Sequence, residues 1–391
     1  MSDSFSFHGR RYDTGECIEC VVADSRIQSI VPSSKRADEL PLIAPGLFDL
    51  QINGYGGIWF SDEQLTVEQV LTVLDKLPQH GISRVCPTLI TNSFEALEHG
   101  FATLRSACEK EAWAEELVAG YHLEGPFIAT EDGPRGAHPL EHVRACDWNE
   151  FCRWQEASGG RIRLVTVAAE SHGAVEFIRS AVKTGVRIAI GHTAANSEQV
   201  AAAVDAGATL STHLGNGAHG MLRRHPNYIW DQLADDRLTA SLIVDGHHLP
   251  ANVVRAFVKA KGLDNVLLTC DASGLAGCPP GEYVYHGHDF EILEDGRIVV
   301  AGQRQYLAGS GALTDECVAC AVDMVPLPLS TAIDLASLKP ADLLGCEPAC
   351  LREGDRADLM LFRWSGPGTP LEIETTVSAG RVRYDNSATT A

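Results

Sequence analysis

The chain has 391 residues, of which 45% are hydrophobic, and this is enough apolar sequence for one barrel-sized domain beside a smaller one. Its 52 acidic and 31 basic residues give a formal net charge of -21, which argues against a nucleic-acid partner and against an anionic membrane surface. Because no run of about 18 apolar residues occurs and the N-terminus lacks the apolar core of a signal peptide, we expect a cytoplasmic protein with no membrane span.

The two ends of the chain share one pattern, that of short antiparallel strands separated by turns. It covers residues 5–31 and 355–385. We therefore predict that both ends pair into one small β-sandwich domain, with an N-terminal part at 1–44 and a C-terminal part at 344–391.

Between these ends, eight short apolar runs alternate with helical patterns. Several runs are rich in Val, Ile, Leu and Ala with little alternation, which is typical of strands buried on both faces. The intervening helices often begin after Ser, Thr or Asn and end at Gly. Eight such units over about 250 residues indicate an α/β fold, a TIM-like (β/α)8 barrel at 45–343. The runs are 46–53, 83–90, 117–124, 162–170, 186–192, 208–213, 239–246 and 265–271.

Three shorter parts of the sequence also have recognisable patterns: one hairpin, one glycine-rich loop and two pairs of cysteines. A hairpin is predicted at 282–306, with a turn at Asp295-Gly296. The glycines of "NGYGG" (53–57) do not have the spacing of a phosphate-binding loop, so a tight loop at the barrel mouth is expected. The CxxC pairs Cys17/Cys20 and Cys317/Cys320 could form a four-thiolate zinc site, but reduced thiols acting as small apolar residues are the preferred interpretation.

Polar side chains cluster where the predicted barrel strands end, and barrel enzymes place their chemistry at these ends. A buried carboxylate such as Glu124 in "YHLEGPF" is costly without a partner. Glu124, His192 and His213 offer one carboxylate and two imidazoles, a common ligand set for a divalent metal, although a metal-free Glu–His pair stays open. The residues at the strand ends are Gln51, Asn53, Glu124, Glu170, His192, His213, Asp245, His247, His248 and Asp271.

Asp271 follows the eighth run in "LLTCDASGLAG", where it can take a proton from activated water and pass it to a leaving group. The alternative for Asp271 is a cap on the turn at 272–274. Glu170 has no evident ligand role and is interpreted as a structural carboxylate.

The order of "DLQINGYGG", "HLEGPF", "GAH", "GHT", "THLGN", "VDGHHL", "TCDAS" and "LAGS" resembles the N-acetylglucosamine-6-phosphate deacetylases of the amidohydrolase superfamily over nearly the whole chain. The resemblance implies an amidohydrolase-type barrel, a homodimer and one divalent metal ion per subunit on Glu124, His192 and His213. Zinc is expected, with iron, manganese or cobalt as alternatives. Asp271 then acts as general base and acid.

The resemblance also assigns substrate contacts. It places His248 near the acetyl carbonyl and Arg224 at the sugar phosphate. The implied substrate-binding residues are Gln51, Ala137, His138, Asn216, Gly217, Arg224, His248 and Leu307.

Some positions depart from the superfamily pattern. Gln51 and Asn53 replace a His-x-His pair, which argues against a second metal, and no Lys ends the fourth strand to bridge two metals. The segment "HLGNGAHGM" replaces the usual "HLxNAM", which leaves the sugar preference open.

The sequence therefore predicts a metal-dependent hydrolase that converts N-acetylglucosamine-6-phosphate into glucosamine-6-phosphate and acetate. One alternative is a deacetylase of N-acetylgalactosamine-6-phosphate or of an unphosphorylated N-acetylhexosamine. The others are a cyclic amidase or dipeptidase, and an inactive barrel retained for binding. The small-molecule partner expected is an amino-sugar phosphate.

Overall fold

The computed structural model describes residues 4–285 and 288–386, with the backbone alone for 303–306. Eight parallel strands pair in chain order, and an isolated parallel bridge between Ile52 and Ala272 joins the first to the eighth. The predicted (β/α)8 barrel is thereby confirmed. Its strands are Leu47–Ile52, Ile82–Ile90, Tyr121–Glu124, Ile162–Val167, Arg187–Ile190, Leu210–Ser211, Thr239–Ile243 and Val266–Thr269.

Several strands are shorter than the apolar runs that predicted them. The third strand begins later than the predicted run at 117–124, because Ala112–Leu117 is helical and the strand starts at Tyr121. The sixth strand has only the two residues Leu210–Ser211, and the chain leaves the ladder before His213. Most of the polar residues predicted at the strand ends thus lie in loops just beyond the sheet, whereas Gln51 and Glu124 are strand residues.

Helices follow most of the barrel strands, and side-chain caps define their starts. Thr66 and Asn196 each form a reciprocal capping box with a Gln three residues later. The α-helices are Val67–Lys76, Phe94–Lys110, Ala112–Leu117, Trp148–Ala157, Ala174–Lys183, Ser197–Ala206, Tyr228–Ala234, Ala251–Lys261, Thr314–Met324, Leu329–Leu335 and Leu338–Leu344. Short 3-10 helices are Leu77–His80, Leu140–His142 and Leu263–Asn265.

The two chain ends share one seven-stranded sheet, as predicted. Strand Leu42–Pro45 lies between the two halves, parallel to Phe5–Arg11 and antiparallel to Leu359–Arg363. Side chains of both halves, such as Ile18 and Leu361, share one small core. The domain boundaries at 44 and 343 remain a prediction. The strands are Phe5–Arg11, Cys17–Ala23, Arg26–Pro32, Leu42–Pro45, Leu359–Arg363, Glu372–Ser378 and Arg381–Asp385.

The structure has a four-stranded antiparallel sheet where the sequence predicted a single hairpin at 282–306. Residues 286–287 of that predicted hairpin lie outside the described residues. Its hairpin turn spans Leu293 to Arg297, with Gly296 at a φ of 85°. "NGYGG" forms a tight two-stranded ribbon, as expected for a mouth loop. The strands are Gly281–Tyr285, His288–Ile292, Ile298–Val300 and Gln303–Leu307, and those of the ribbon are Gly54–Tyr55 and Ile58–Trp59.

Two further expectations concern the cysteines and the membrane. All twelve cysteines are free, with one CxxC pair on strand Cys17–Ala23 and the other on helix Thr314–Met324, so their preferred interpretation as unpaired thiols holds. Within the described ranges, none of the helices combines the length and the apolar character needed to cross a membrane.

Candidate metal centre and active site

Three buried side chains converge at the C-terminal end of the barrel. Glu124 Oε1 lies 3.0 Å from His213 Nε2 and 3.3 Å from His192 Nε2, and the two Nε2 atoms are 3.0 Å apart. They come from the ends of the third, fifth and sixth strands, which meet at the same C-terminal edge of the barrel. One carboxylate and two imidazoles at these separations could hold a metal ion.

A backbone carbonyl orients the imidazole of His192. His192 Nδ1 donates to the carbonyl of Pro134 at 2.8 Å, so a neutral ring would offer its Nε2 lone pair to a metal ion. His192 and His213 have φ values of 49° and 29°, and Asp271 has 52°. For residues other than glycine, such backbone conformations cost of order 1–3 kcal/mol each. Strained conformations of this kind cluster at functional sites.

The electrostatics of the cluster favour a cation. Burial raises the pKa of Glu124, but hydrogen bonds and positive charge from His192 and His213 hold it well below its usual range. For His213, burial lowers the pKa, whereas the hydrogen bond and charge of Glu124 outweigh it, so the net shift is upward. A divalent ion held by these three side chains would supply positive charge to the carboxylate in place of protons on the imidazoles.

Asp271 lies beside the cluster and is connected to it by amides. Gln51 Nε2 donates to Glu124 Oε1 at 2.7 Å and to Asp271 Oδ1 at 3.0 Å, and Asn53 Nδ2 donates to the same Oδ1 at 2.8 Å. Burial, followed by the negative charge of Glu124, raises the pKa of Asp271 to about 7. A carboxylate with this pKa can accept and release a proton near neutral pH.

His248 is oriented by a buried carboxylate. Its Nδ1 donates to Asp245 Oδ2 at 2.7 Å, and Ser310 Oγ donates to the same oxygen at 2.9 Å. The other oxygen accepts the backbone N–H groups of His247 and His248, both at 2.9 Å. With Nδ1 engaged, His248 presents Nε2 as its remaining polar atom.

His138 packs against His192. The two rings meet edge to face with centroids 4.4 Å apart, and His138 Nδ1 bonds Thr91 Oγ1 at 2.8 Å. Burial, together with the charge of His192, lowers the pKa of His138 to about 3, so the ring is neutral at physiological pH.

A cavity of about 750 Å³ opens over these residues. Of the sequence-predicted set, Ala137, His138, Asn216, Gly217, His248 and Leu307 line it together with Asn53, His247 and the cluster itself. Among the described lining residues, neither Gln51 nor Arg224 appears: Gln51 is buried beneath the two carboxylates, and Arg224 lies exposed on the loop after His219. Glu170 accepts the backbone N–H of Ala194 at 2.6 Å and the hydroxyl of Thr193, a structural use just beyond His192.

Three groups that support the site have no role predicted from the sequence. They are the Asp245 carboxylate, the Asn53 amide and the carbonyl of Pro134. Asp245 could have been recognised, because "DGHHL" places a carboxylate three residues before His248. The contact from Pro134 to His192 spans 58 residues and leaves no sequence pattern.

The fold and the site define a class of protein. The amidohydrolase family matches residues 42–383, and the chain belongs to that family. The N-acetylgalactosamine-6-phosphate deacetylase of Escherichia coli O157:H7 is 31% identical over 348 residues, which are 87% of this chain and 89% of the relative. The N-acetylglucosamine-6-phosphate deacetylase of Homo sapiens is 31% identical over 358 residues, 89% and 84% of the two chains.

A solved structure agrees with these relatives. A mutant of the N-acetyl-D-glucosamine-6-phosphate deacetylase of Mycobacterium smegmatis, in complex with N-acetyl-D-glucosamine-6-phosphate, matches with a TM-score of 0.83 and 30% identity over 94% of both chains. The resemblance inferred from the motifs is thereby confirmed.

Proposed function

We propose that this protein is a metal-dependent hydrolase that removes the acetyl group from N-acetylglucosamine-6-phosphate. The observation that carries the proposal is the buried cluster of Glu124, His192 and His213 joined through Gln51 to Asp271. Relatives at about 30% identity that carry this activity in their names support the choice of substrate.

Glu124 Oε1 and the Nε2 atoms of His192 and His213 would hold one divalent ion. When bound, such an ion acts as a Lewis acid and makes water a nucleophile near neutral pH. Zinc suits this donor set, as do iron, manganese and cobalt. Gln51 and Asn53 donate hydrogen bonds to carboxylates here, and this use supports one ion rather than two.

The chain's own groups account for the proton transfers of amide hydrolysis. Asp271 accepts a proton from water as the new C–O bond forms. With a proton on both ring nitrogens, His248 would donate from Nδ1 to Asp245 and from Nε2 to the acyl oxygen as that oxygen gains negative charge. Such a donor is typically worth about 3–4 kcal/mol. Asp271 then gives its proton to the leaving nitrogen as the C–N bond breaks, which releases acetate and the amino sugar.

The sugar would lie on the part of the cavity formed by Ala137, His138, Asn216 and Gly217, and Leu307 also lines the cavity. Arg224 is proposed as the phosphate contact of a neighbouring subunit in a homodimer, which is consistent with its exposure outside the cavity of its own chain. Twelve free thiols support a reducing compartment, and we propose the cytoplasm.

A second candidate is the deacetylation of N-acetylgalactosamine-6-phosphate. The Escherichia coli O157:H7 relative named for that activity is as similar to this chain as the human relative. The two substrates differ only in the orientation of one hydroxyl group, and a single well-placed polar contact in the cavity can decide between them.

The experiment is a comparison of kcat/KM for acetate release by the metal-loaded protein. The substrates are N-acetylglucosamine-6-phosphate, N-acetylgalactosamine-6-phosphate and unphosphorylated N-acetylglucosamine. A lead of about tenfold or more for the first, equal to roughly 1.4 kcal/mol, supports the proposal. A lead for the second selects the alternative, and no turnover of any of the three refutes deacetylation of amino sugars.

A further inference from the structure

Asp49 is a fully buried carboxylate that none of the roles above uses. It lies on the first barrel strand, two residues before Gln51, and is 0% exposed. Its Oδ1 accepts the backbone N–H of Gln51 at 2.8 Å and the hydroxyl of Thr269 at 2.6 Å. Its Oδ2 accepts the backbone N–H of Cys270 at 2.8 Å and the hydroxyl of Thr314 at 2.7 Å.

Three of these four contacts leave the first strand: those of Thr269 and Cys270 cross the seam of the barrel, and that of Thr314 reaches a helix. The first and eighth strands are the two ends of the eight-stranded ladder, and the backbone joins them through the bridge between Ile52 and Ala272. Asp49 adds a side-chain clamp at the same place. It ties the first strand to the residues just before Asp271 and to the first residue of helix Thr314–Met324.

The clamp joins the two strands that carry the proton-transfer machinery. Gln51 contacts both Glu124 and Asp271, and the backbone on either side of that contact is held by Asp49. None of the four donors carries a charge, so the carboxylate has no ion-pair compensation from them for the cost of its burial. A shift of either strand end would change the distance between Asp271 and the metal cluster.

We propose that Asp49 is a positioning residue for hydrolysis: by clamping the seam, it sets the position of Asp271 relative to Gln51 and the metal ligands. This inference rests on the proposed function. Asp49 touches neither the cavity nor the cluster within the described contacts, so its effect acts through the backbone of Gln51 and Cys270.

Asp49→Asn tests the clamp with almost no change in volume. Each carboxylate oxygen accepts one backbone N–H, which cannot rotate away, so either orientation of the amide points its NH₂ group at a backbone donor. We expect kcat for acetate release to fall by of the order of 10²-fold, as for a small misplacement of reacting groups. KM should change by less than about threefold, and the bound metal per chain should stay at the wild-type value.

Asp358→Asn is the matched control. Asp358 is also 0% exposed, but its side chain pairs with Arg84 and Arg356 at 2.9 and 2.8 Å just before strand Leu359–Arg363 of the seven-stranded sheet, and none of its described side-chain contacts reaches the eighth barrel strand. We expect this variant to lower the Tm while leaving kcat near the wild-type value. Thr314→Val, which removes one donor to Asp49, is the milder test if Asp49→Asn does not fold, and it should lower kcat in the same direction.

The outcomes separate the inference from the proposed function. If Asp49→Asn, or Thr314→Val in its place, loses thermal stability as Asp358→Asn does but keeps kcat, Asp49 is merely structural and the inference is overturned. A loss of bound metal in parallel with kcat would also overturn it. Failure of the wild-type protein to release acetate refutes the proposed function instead.

Discussion

His213 and His122 are both buried imidazoles at the upper end of the barrel, but their partners differ. His213 faces Glu124 and His192, whereas His122 Nε2 bonds the hydroxyl of Thr166 at 2.8 Å and burial lowers its pKa to about 4. Only the first is placed to ligate a metal ion. The second belongs to a neutral hydrogen-bonded layer beneath the cluster.

This difference predicts opposite results for two equivalent substitutions. His213→Asn should lower metal affinity by more than about 100-fold, since loss of a ligand exceeds the 10–100-fold effect of losing a ligand's outer partner. His122→Asn should lower the Tm but retain the metal. Metal analysis after dialysis measures both, and equal metal loss in the two variants would contradict the assignment of the cluster.

The pKa of Asp271 predicts a pH dependence. The group must be deprotonated to accept a proton, so kcat/KM should fall as pH drops through its pKa. Burial and the charge of Glu124 raise the pKa of Asp271 to about 7, and a divalent ion alongside favours the charged form and lowers it. The acidic limb of kcat/KM for the metal-loaded enzyme should therefore lie below pH 7. If the residual kcat/KM of Asp271→Asn falls over the same acidic pH range, the acidic limb belongs to another group.

At the scale of elements, two loops are joined by Asp245. It connects the loop after strand Thr239–Ile243, which carries His248, to Ser310 in the segment after strand Gln303–Leu307. The hydrogen bonds and charge of His248 overcome the effect of burial and hold the pKa of Asp245 below its usual range. The carboxylate therefore remains an acceptor and fixes the orientation of the imidazole.

Asp245→Asn should lower kcat by about 10- to 100-fold, because the neutral amide removes the negative charge that stabilises a doubly protonated His248 ring, the form that donates from Nε2. Ser310→Ala removes the other side-chain donor to Asp245 and should have a smaller effect in the same direction. Steady-state kinetics of acetate release measure both. An unchanged kcat in Asp245→Asn would exclude an active role for His248 in this orientation.

The helix after His192 gives a prediction of stability alone. Asn196 accepts the backbone N–H of Gln199 at 3.0 Å, and the Gln199 side chain accepts the N–H of Asn196 at 2.9 Å. Asn196→Ala should lower the free energy of unfolding by about 1 kcal/mol. The control Asn149→Ala changes an exposed residue of helix Trp148–Ala157, whose cap is Asp147, and should stay within about 0.5 kcal/mol. Urea unfolding measures the free energy of both variants. Equal losses of unfolding free energy would show that the Asn196 cap does not stabilise the helix.

At the scale of the whole molecule, the sequence predicted the barrel because each strand is a local apolar run and closure follows from their number. It also placed Glu124, His192, His213 and Asp271 together, since the ends of parallel strands meet at one edge. The contact between Gln51 and Asp271 joins residues 220 positions apart and could not be predicted, because it depends on the register across the barrel seam. The full extent of the four-stranded sheet could not be predicted, because apolar and polar residues alternate only weakly along its strands.

Arg224 illustrates a different limit. Its assignment to the phosphate came from the resemblance alone, and within its own chain the residue lies exposed outside the described lining of the cavity. A contact made between subunits has no local signature in one sequence, so its test requires the assembled protein.

The most direct measurement is acetate release from N-acetylglucosamine-6-phosphate by wild type and by Asp271→Asn, each stripped by chelation and then reloaded with zinc. We predict activity in reloaded wild type alone, with Asp271→Asn binding the metal yet losing at least about 10²-fold in kcat. Full activity in chelated wild type, or in reloaded Asp271→Asn, would contradict metal-dependent hydrolysis with Asp271 as the proton acceptor.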